Sequence, residues 1–203
     1  MEHKNVWLDY TADDLAAVDT LATNYKTFIS TCKTERECCA FAIKAAREAG
    51  YISLEEAREN GRKLQPGDKI YAQSYGKTII MAHIGKKPLE EGLNILGAHI
   101  DSPRLDIKQN PLYEAGGFAL MDTHYYGGIK KYQWVTLPLA IHGVIAKKDG
   151  TVLPVNIGED MNDPAFCISD LLIHLAADQM KKNAATVIEG EDLDVLVGGK
   201  PAS

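Results

Sequence analysis

The run Asn94-Ile95-Leu96-Gly97-Ala98-His99-Ile100-Asp101-Ser102-Pro103 places an imidazole and a carboxylate two residues apart at the end of an apolar stretch. In an extended chain, residues i and i+2 share a face. The Asp101 carboxylate can therefore hold one ring nitrogen of His99 while the other faces a metal. Gly97 and Ala98 are too small to block a ligand approaching the chain. Ser102-Pro103 ends regular pairing, because proline offers no N–H to a ladder. Taken alone, a His-x-Asp triplet is more often a polar strand end than a metal site, so its surroundings decide its meaning.

The elements that would carry this triplet begin with two helices. Thr11 caps a predicted helix from Ala12 to Ile29, with Asp13 and Asp14 in its first turn and Leu15, Val18, Leu21, Ala22, Tyr25 and Ile29 at helical spacing. Thr34-Glu35-Arg36-Glu37 is a capping box, and the helix it starts runs through Cys38, Phe41, Ala42, Ala45 and Ala49 to stop at Gly50. From Lys69 the period changes to two. Gly76-Lys77 then turns this strand into a second one, Thr78 to Ile84, giving a hairpin. After a polar connector, Gly85 to Gly92, a buried strand from Leu93 to Ile100 is expected to deliver His99, and Leu105 to Ile107 resumes extended structure. Helices followed by an apolar sheet with a polar strand end describe part of an α/β domain whose site lies at the strand ends.

The pattern changes after Lys108. Gln109-Asn110-Pro111 reads as a break, and Gly116-Gly117 and Gly127-Gly128 punctuate a loop-rich stretch. Gln133 to Lys147 reads as one long strand interrupted by Pro138, and Asp149-Gly150 turns it into Thr151 to Asn156. Ser169 is expected to cap a helix through Lys182, carrying His174 between Ile173 and Leu175, and Leu193 to Val197 is a short strand.

Bulk properties exclude several classes. At 203 residues, 45% hydrophobic and 25% charged, the chain is an ordinary globular polypeptide. A net charge of −6 and dispersed lysine pairs argue against nucleic-acid binding. The N-terminal residues lack the apolar core of a signal peptide and no stretch approaches a membrane span, so a cytoplasmic location is expected. Cys32, Cys38, Cys39 and Cys167 have no paired CxxC spacing and read as reduced thiols.

The blocks Gly97-Ala98-His99-Ile100-Asp101-Ser102-Pro103, Thr123-His124-Tyr125-Tyr126-Gly127-Gly128-Ile129 and Ile168-Ser169-Asp170-Leu171-Leu172-Ile173-His174-Leu175 resemble, in this order, the M18 family of metalloaminopeptidases, the aspartyl aminopeptidase group. Similar blocks extend from about Thr34 to Pro201. The resemblance implies the N-terminal part of a zinc-exopeptidase-like α/β domain over residues 1–108, then part of an inserted β-rich dimerisation domain over 109–203. It implies two Zn2+ ions per complete site, with His99 the first metal histidine and Asp101 its orienting carboxylate. It also implies peptide substrates and a homo-oligomer in which His174 reaches a neighbouring subunit's site and donates to developing oxyanion charge.

A cocatalytic metal pair needs several His and carboxylate ligands and a general base, and this chain offers one good ligand. The family's remaining ligands fall beyond the matched region, so the chain reads as a truncated, inactive portion of an aminopeptidase. The competing reading is a non-catalytic oligomerisation or interaction module of the same descent. A nucleophile hydrolase using Ser102 or Cys39 ranks last for want of a paired base. His83, His124 and His142 read as structural, His3 as part of a loose terminus, and Asp106 as a solvated or ion-paired strand residue. Where the eukaryotic branch has a Gly-Gly-Gly-Ile-Trp run ending in a charged cluster, this chain has Gly127-Gly128-Ile129-Lys130-Lys131, which points to a bacterial branch. A preference for acidic N-terminal residues is therefore not carried over.

Overall fold

The computed structural model describes residues 4–200, and the expectation for His3 lies outside them. The chain divides into two compact units, one ending at Asp101 and the other beginning at Ser102.

In the first unit, α1 (Ala12–Thr31) and α2 (Glu35–Glu48) both start at the expected threonine caps; Thr34 forms the expected capping box with Glu37, and Thr11 forms a second box with Asp14. A short strand, β1 (Ile52–Ser53), and a six-residue helix, α3 (Leu54–Glu59), follow. The sequence reading passed over α3 because it is too short to show a period, although Ser53 caps it through the Glu56 amide. The expected hairpin forms as β2 (Lys69–Ser74) and β3 (Thr78–His83), and β1 adds parallel to β2. Gly76 turns it at φ +65°, a backbone conformation that favours glycine. Cys38, Cys39, Ala46, Ala57, Ile70 and Tyr71 are buried between helices and sheet.

The expected strand from Leu93 to Ile100 is the main departure in this unit. Its residues join no ladder, and Ile95 and Leu96 are 80% and 101% exposed. Apolar, β-favouring sequence needs a hydrogen-bonded neighbour to become a strand, and none of the described residues supplies one.

The second unit is mostly β. The strands β4 (Arg104–Ala115) and β5 (Phe118–Tyr126) form a long hairpin turned at Gly116-Gly117. β6 (Ile141–Ala146) and β7 (Val152–Ile157) form a second hairpin through the Asp149-Gly150 turn, and β8 (Val195–Gly198) pairs with β5. The core is Phe166, Ile168, Ile188, Leu193 and Val195, flanked by Leu105, Met121 and Trp134.

Four expectations fail in this unit, the first being the loop-rich stretch around Gly116-Gly117, which folds as the β4–β5 hairpin because the two strands pair along most of their length. Gln109-Asn110-Pro111 does not break the chain: it lies within β4, where the register shifts between Ile107 and Leu112, because a bulge accommodates the proline that a regular ladder rejects. The long strand from Gln133 shrinks to β6. Lys131–Gln133 is a 3-10 turn, and Thr136 at φ +62° with Pro138 bends the chain before pairing starts. The helix from Ser169 to Lys182 is absent; turns occupy that stretch, with a 3-10 segment only at Gln179–Lys181. Asp170 draws its carboxylate onto the Leu171 amide and the Gln179 side chain, a local alternative to helical bonding. Leu171, Leu172, Ile173 and Leu175 remain exposed, so no packed face stabilises a helix there.

Candidate functional site

The segment after Gly92, which joins no strand or helix, carries His99 to a point where Asp101 turns back on it. The His99 Nδ1 lies 3.0 Å from the Asp101 carbonyl oxygen and 3.2 Å from its Oδ1. Both oxygens are acceptors only, so Nδ1 carries the proton and donates. In the neutral ring Nε2 then keeps a free lone pair, the form a metal requires. The ring is accessible, with a side chain 84% exposed against 39% for Asp101.

His174, the third residue singled out, lies in the second unit in an exposed turn rather than on a helix. The structure thus brings His99 and Asp101 together within the first unit.

The other histidines have local positions in their hairpins. His83 ends β3 opposite Lys69 and His124 faces Asp106 across the β4–β5 pair. His142, with a side chain 8% exposed, contacts the Glu159 carboxylate at 3.0 Å. Asp106 is ion-paired as expected, accepting from Arg104 Nε at 2.7 Å.

Two polar clusters in the second unit were not anticipated. Tyr113 donates to Asp194, which holds its phenol neutral and pushes its pKa up to about 12. Asp194 also accepts from the Thr123 amide, and the buried Thr123 hydroxyl donates to the Leu193 carbonyl, so this cluster ties β8 to the hairpin. Lys108 bridges Asp122 and Glu191, and its hydrogen bond to Asp122 leads the effects that raise its pKa. Sequence spacing gives no signal for these contacts, because their partners lie far apart along the chain. Burial raises the pKa values of the Cys38 and Cys39 thiols, and all four cysteines are free.

A metal centre demands more than His99 and Asp101. Among the described residues no group of three or more His, Cys, Asp or Glu side chains could hold a metal ion. One oriented imidazole is one ligand of such a centre, so the donors present here do not fit a complete zinc site. No described helix is long and apolar enough to cross a membrane.

A mixed α/β chain with an oriented His-x-Asp pair is the class that comparison with known proteins makes specific. Residues 28–198 match the family model described as aminopeptidase I zinc metalloprotease (M18). The chain belongs to the M18 peptidase family. It is 58% identical over 98% of its length to a probable M18 family aminopeptidase 1 of Clostridium acetobutylicum, covering 43% of that protein. A second relative of the same description, from Borreliella afzelii, is 43% identical over 99% of the chain, again covering 43% of the relative. The fold resembles the crystal structure of an M18 aminopeptidase from Thermotoga maritima, with a TM-score of 0.88 and 40% identity over the whole chain and 43% of that structure. It also resembles aminopeptidase I from Clostridium acetobutylicum, with a TM-score of 0.80 over 97% of this chain and 43% of that one. The chain therefore spans less than half the length of these relatives.

Proposed function

We propose that this chain is the N-terminal portion of a zinc-dependent aminopeptidase that releases N-terminal residues from peptides, and that it contributes the first metal ligand. The observation that carries this reading is His99, with Nδ1 engaged by Asp101 and the rest of its ring exposed. Family membership supports the activity, and the coverage of the relatives supports a longer parent polypeptide that supplies the remaining ligands. In this reading residues 1–108 belong to the catalytic domain. Residues 109–203 belong to a dimerisation domain of a cytoplasmic homo-oligomer, in which His174 serves a neighbouring subunit. This chain's own part is to hold the His99 imidazole in one tautomer and one orientation.

The shortage of donors also supports a second reading, a non-catalytic module of the same descent. The coding sequence downstream of Ser203 discriminates between the two. An open frame continuing with carboxylate and histidine ligands supports the enzyme, and a stop codon supports the module. In the parent, His99→Ala should lower zinc content and abolish chelator-sensitive aminopeptidase activity, and Asp101→Asn should weaken metal affinity by about 10- to 100-fold. Full zinc content and rate in both variants would make the pair structural and overturn the metal reading.

A further inference from the structure

We propose that Cys32 and Cys38 are a redox modification site: a small-molecule disulfide converts this thiol pair into a bridge that clasps the end of α1 to the first turn of α2. All the residues involved lie in the first unit, and the proposal is independent of the metal reading of His99.

Cys32 ends α1, its amide donating to the Phe28 carbonyl at 2.9 Å, and Cys38 lies in the first turn of α2. The Cys32 thiol donates, at 3.7 Å, to the carbonyl of Glu37, the residue next to Cys38. The thiols of Cys32 and Cys38 are themselves within hydrogen-bonding reach of each other. Cys39, one residue further on, points elsewhere and donates to the Thr78 carbonyl of β3 at 3.7 Å.

The connection between the two cysteines is held in place. The Glu37 carboxylate accepts from the Lys33 amide at 2.8 Å and the Thr34 amide at 2.9 Å, while the Thr34 hydroxyl accepts from the Glu37 amide at 3.3 Å. This capping box leaves little freedom in residues 33–37. One turn further into each helix, the Phe28 and Phe41 rings lie 5.1 Å apart, so the helices also pack beside the pair. Thiols held this way meet by side-chain rotation, and their exchange becomes effectively intramolecular.

Access sets the order of events. Cys32 is half-buried, whereas Cys38 is 7% exposed. Burial, followed by the neighbouring Cys32 and Glu37, raises the Cys38 pKa and makes it a poor nucleophile toward reagents arriving from solvent. The Cys32 thiolate therefore attacks the incoming disulfide first, breaking its S–S bond and expelling one thiolate. The Cys38 thiolate then attacks the Cys32 sulfur, forming the Cys32–Cys38 bond and expelling the second. Both leaving thiolates take up the protons that the cysteines lose, so the chain is oxidised by two electrons and the reagent is reduced to two thiols.

The test exposes the folded 203-residue chain to oxidised glutathione, quenches it in acid, and maps every cysteine by alkylation in denaturant and mass spectrometry. Cys32 and Cys38 should both lose their alkylatable thiols, appear as one bridged peptide and recover on adding dithiothreitol, while Cys39 stays reduced. Cys38→Ser should stop at a glutathione adduct on Cys32, and Cys38→Ala gives the same reading if serine disturbs the packing. Cys32→Ser should leave Cys38 reduced. Cys38 and Cys39 are almost equally distant from Cys32 along the chain, so the same exposure in urea should spread the bridge over both, because only the fold selects Cys38. The proposal is overturned by a folded wild-type chain that takes up no glutathione, stops at the Cys32 adduct, or bridges through Cys39 or Cys167. An unchanged preference for Cys38 in urea, or glutathione taken up by Cys38 in the Cys32→Ser chain, would overturn it as well.

Discussion

At the residue scale, side chains here act mainly by fixing the proton position or orientation of a neighbour. Asp101 sets the proton on His99, and Asp194 holds the proton on Tyr113. The raised Tyr113 pKa has a definite sign. The neutral phenol stabilises the folded state fully below the ordinary tyrosine value of 10.0, and that stability is lost as pH rises through about 12. Absorbance titration should therefore find Tyr113 ionising well above the ordinary tyrosine value, and Asp194→Asn should move it back towards that value. His174 carries a different prediction because it is exposed in a turn. If it donates to a tetrahedral oxyanion in a neighbouring subunit, His174→Phe in the parent should lower kcat by about 100-fold or more, with zinc content and assembly unchanged. Activity recovered on co-assembling inactive His99→Ala and His174→Phe subunits would place the histidine in trans. An unimpaired His174→Phe enzyme would make it an ordinary surface residue.

At the scale of elements, local signals were legible where a few adjacent residues complete an interaction. Both capping boxes needed only a threonine and an acidic residue three positions later, and both formed. Thr34→Ala should therefore lower stability by about 1 kcal/mol, measurable by denaturant unfolding, through loss of the cap on α2. The turns at Gly76 and Asp149-Gly150 depend in the same way on glycine at positive φ, whereas Gly116-Gly117, which reads as loop punctuation, turns the β4–β5 hairpin. Failure came where an element depends on distant partners. Leu93–Ile100 has strand composition without a ladder, and Leu171–Leu175 has helical spacing without a core to receive it.

At the scale of the molecule, the chain is two compact units with one oriented metal-type histidine and no complete donor set among the described residues. We therefore expect the 203-residue polypeptide alone to show no aminopeptidase activity with zinc, manganese or cobalt, because one histidine cannot hold a dinuclear centre. Chelator-sensitive release of N-terminal residues by this polypeptide would contradict that expectation.

Helix starts, the turns at Gly76 and Asp149-Gly150 and the His99–Asp101 contact are readable from sequence because each rests on residues within a few positions of one another, and the family is readable from short blocks spread along the chain. The tertiary structure decided which apolar segments find partners and how long-range polar groups are held. Leu93–Ile100 stays unpaired, the proline of Gln109-Asn110-Pro111 is absorbed in a bulge, and the stretch after Ser169 forms no long helix because most of its apolar side chains meet no core. Tyr113 with Asp194, and Gly127 against Pro103, join residues that only the folded hairpins bring together. The physical reason is the same throughout. Turns and caps are satisfied by local hydrogen bonds, whereas strands and buried helix faces are stable only when another part of the chain arrives to pair or pack with them.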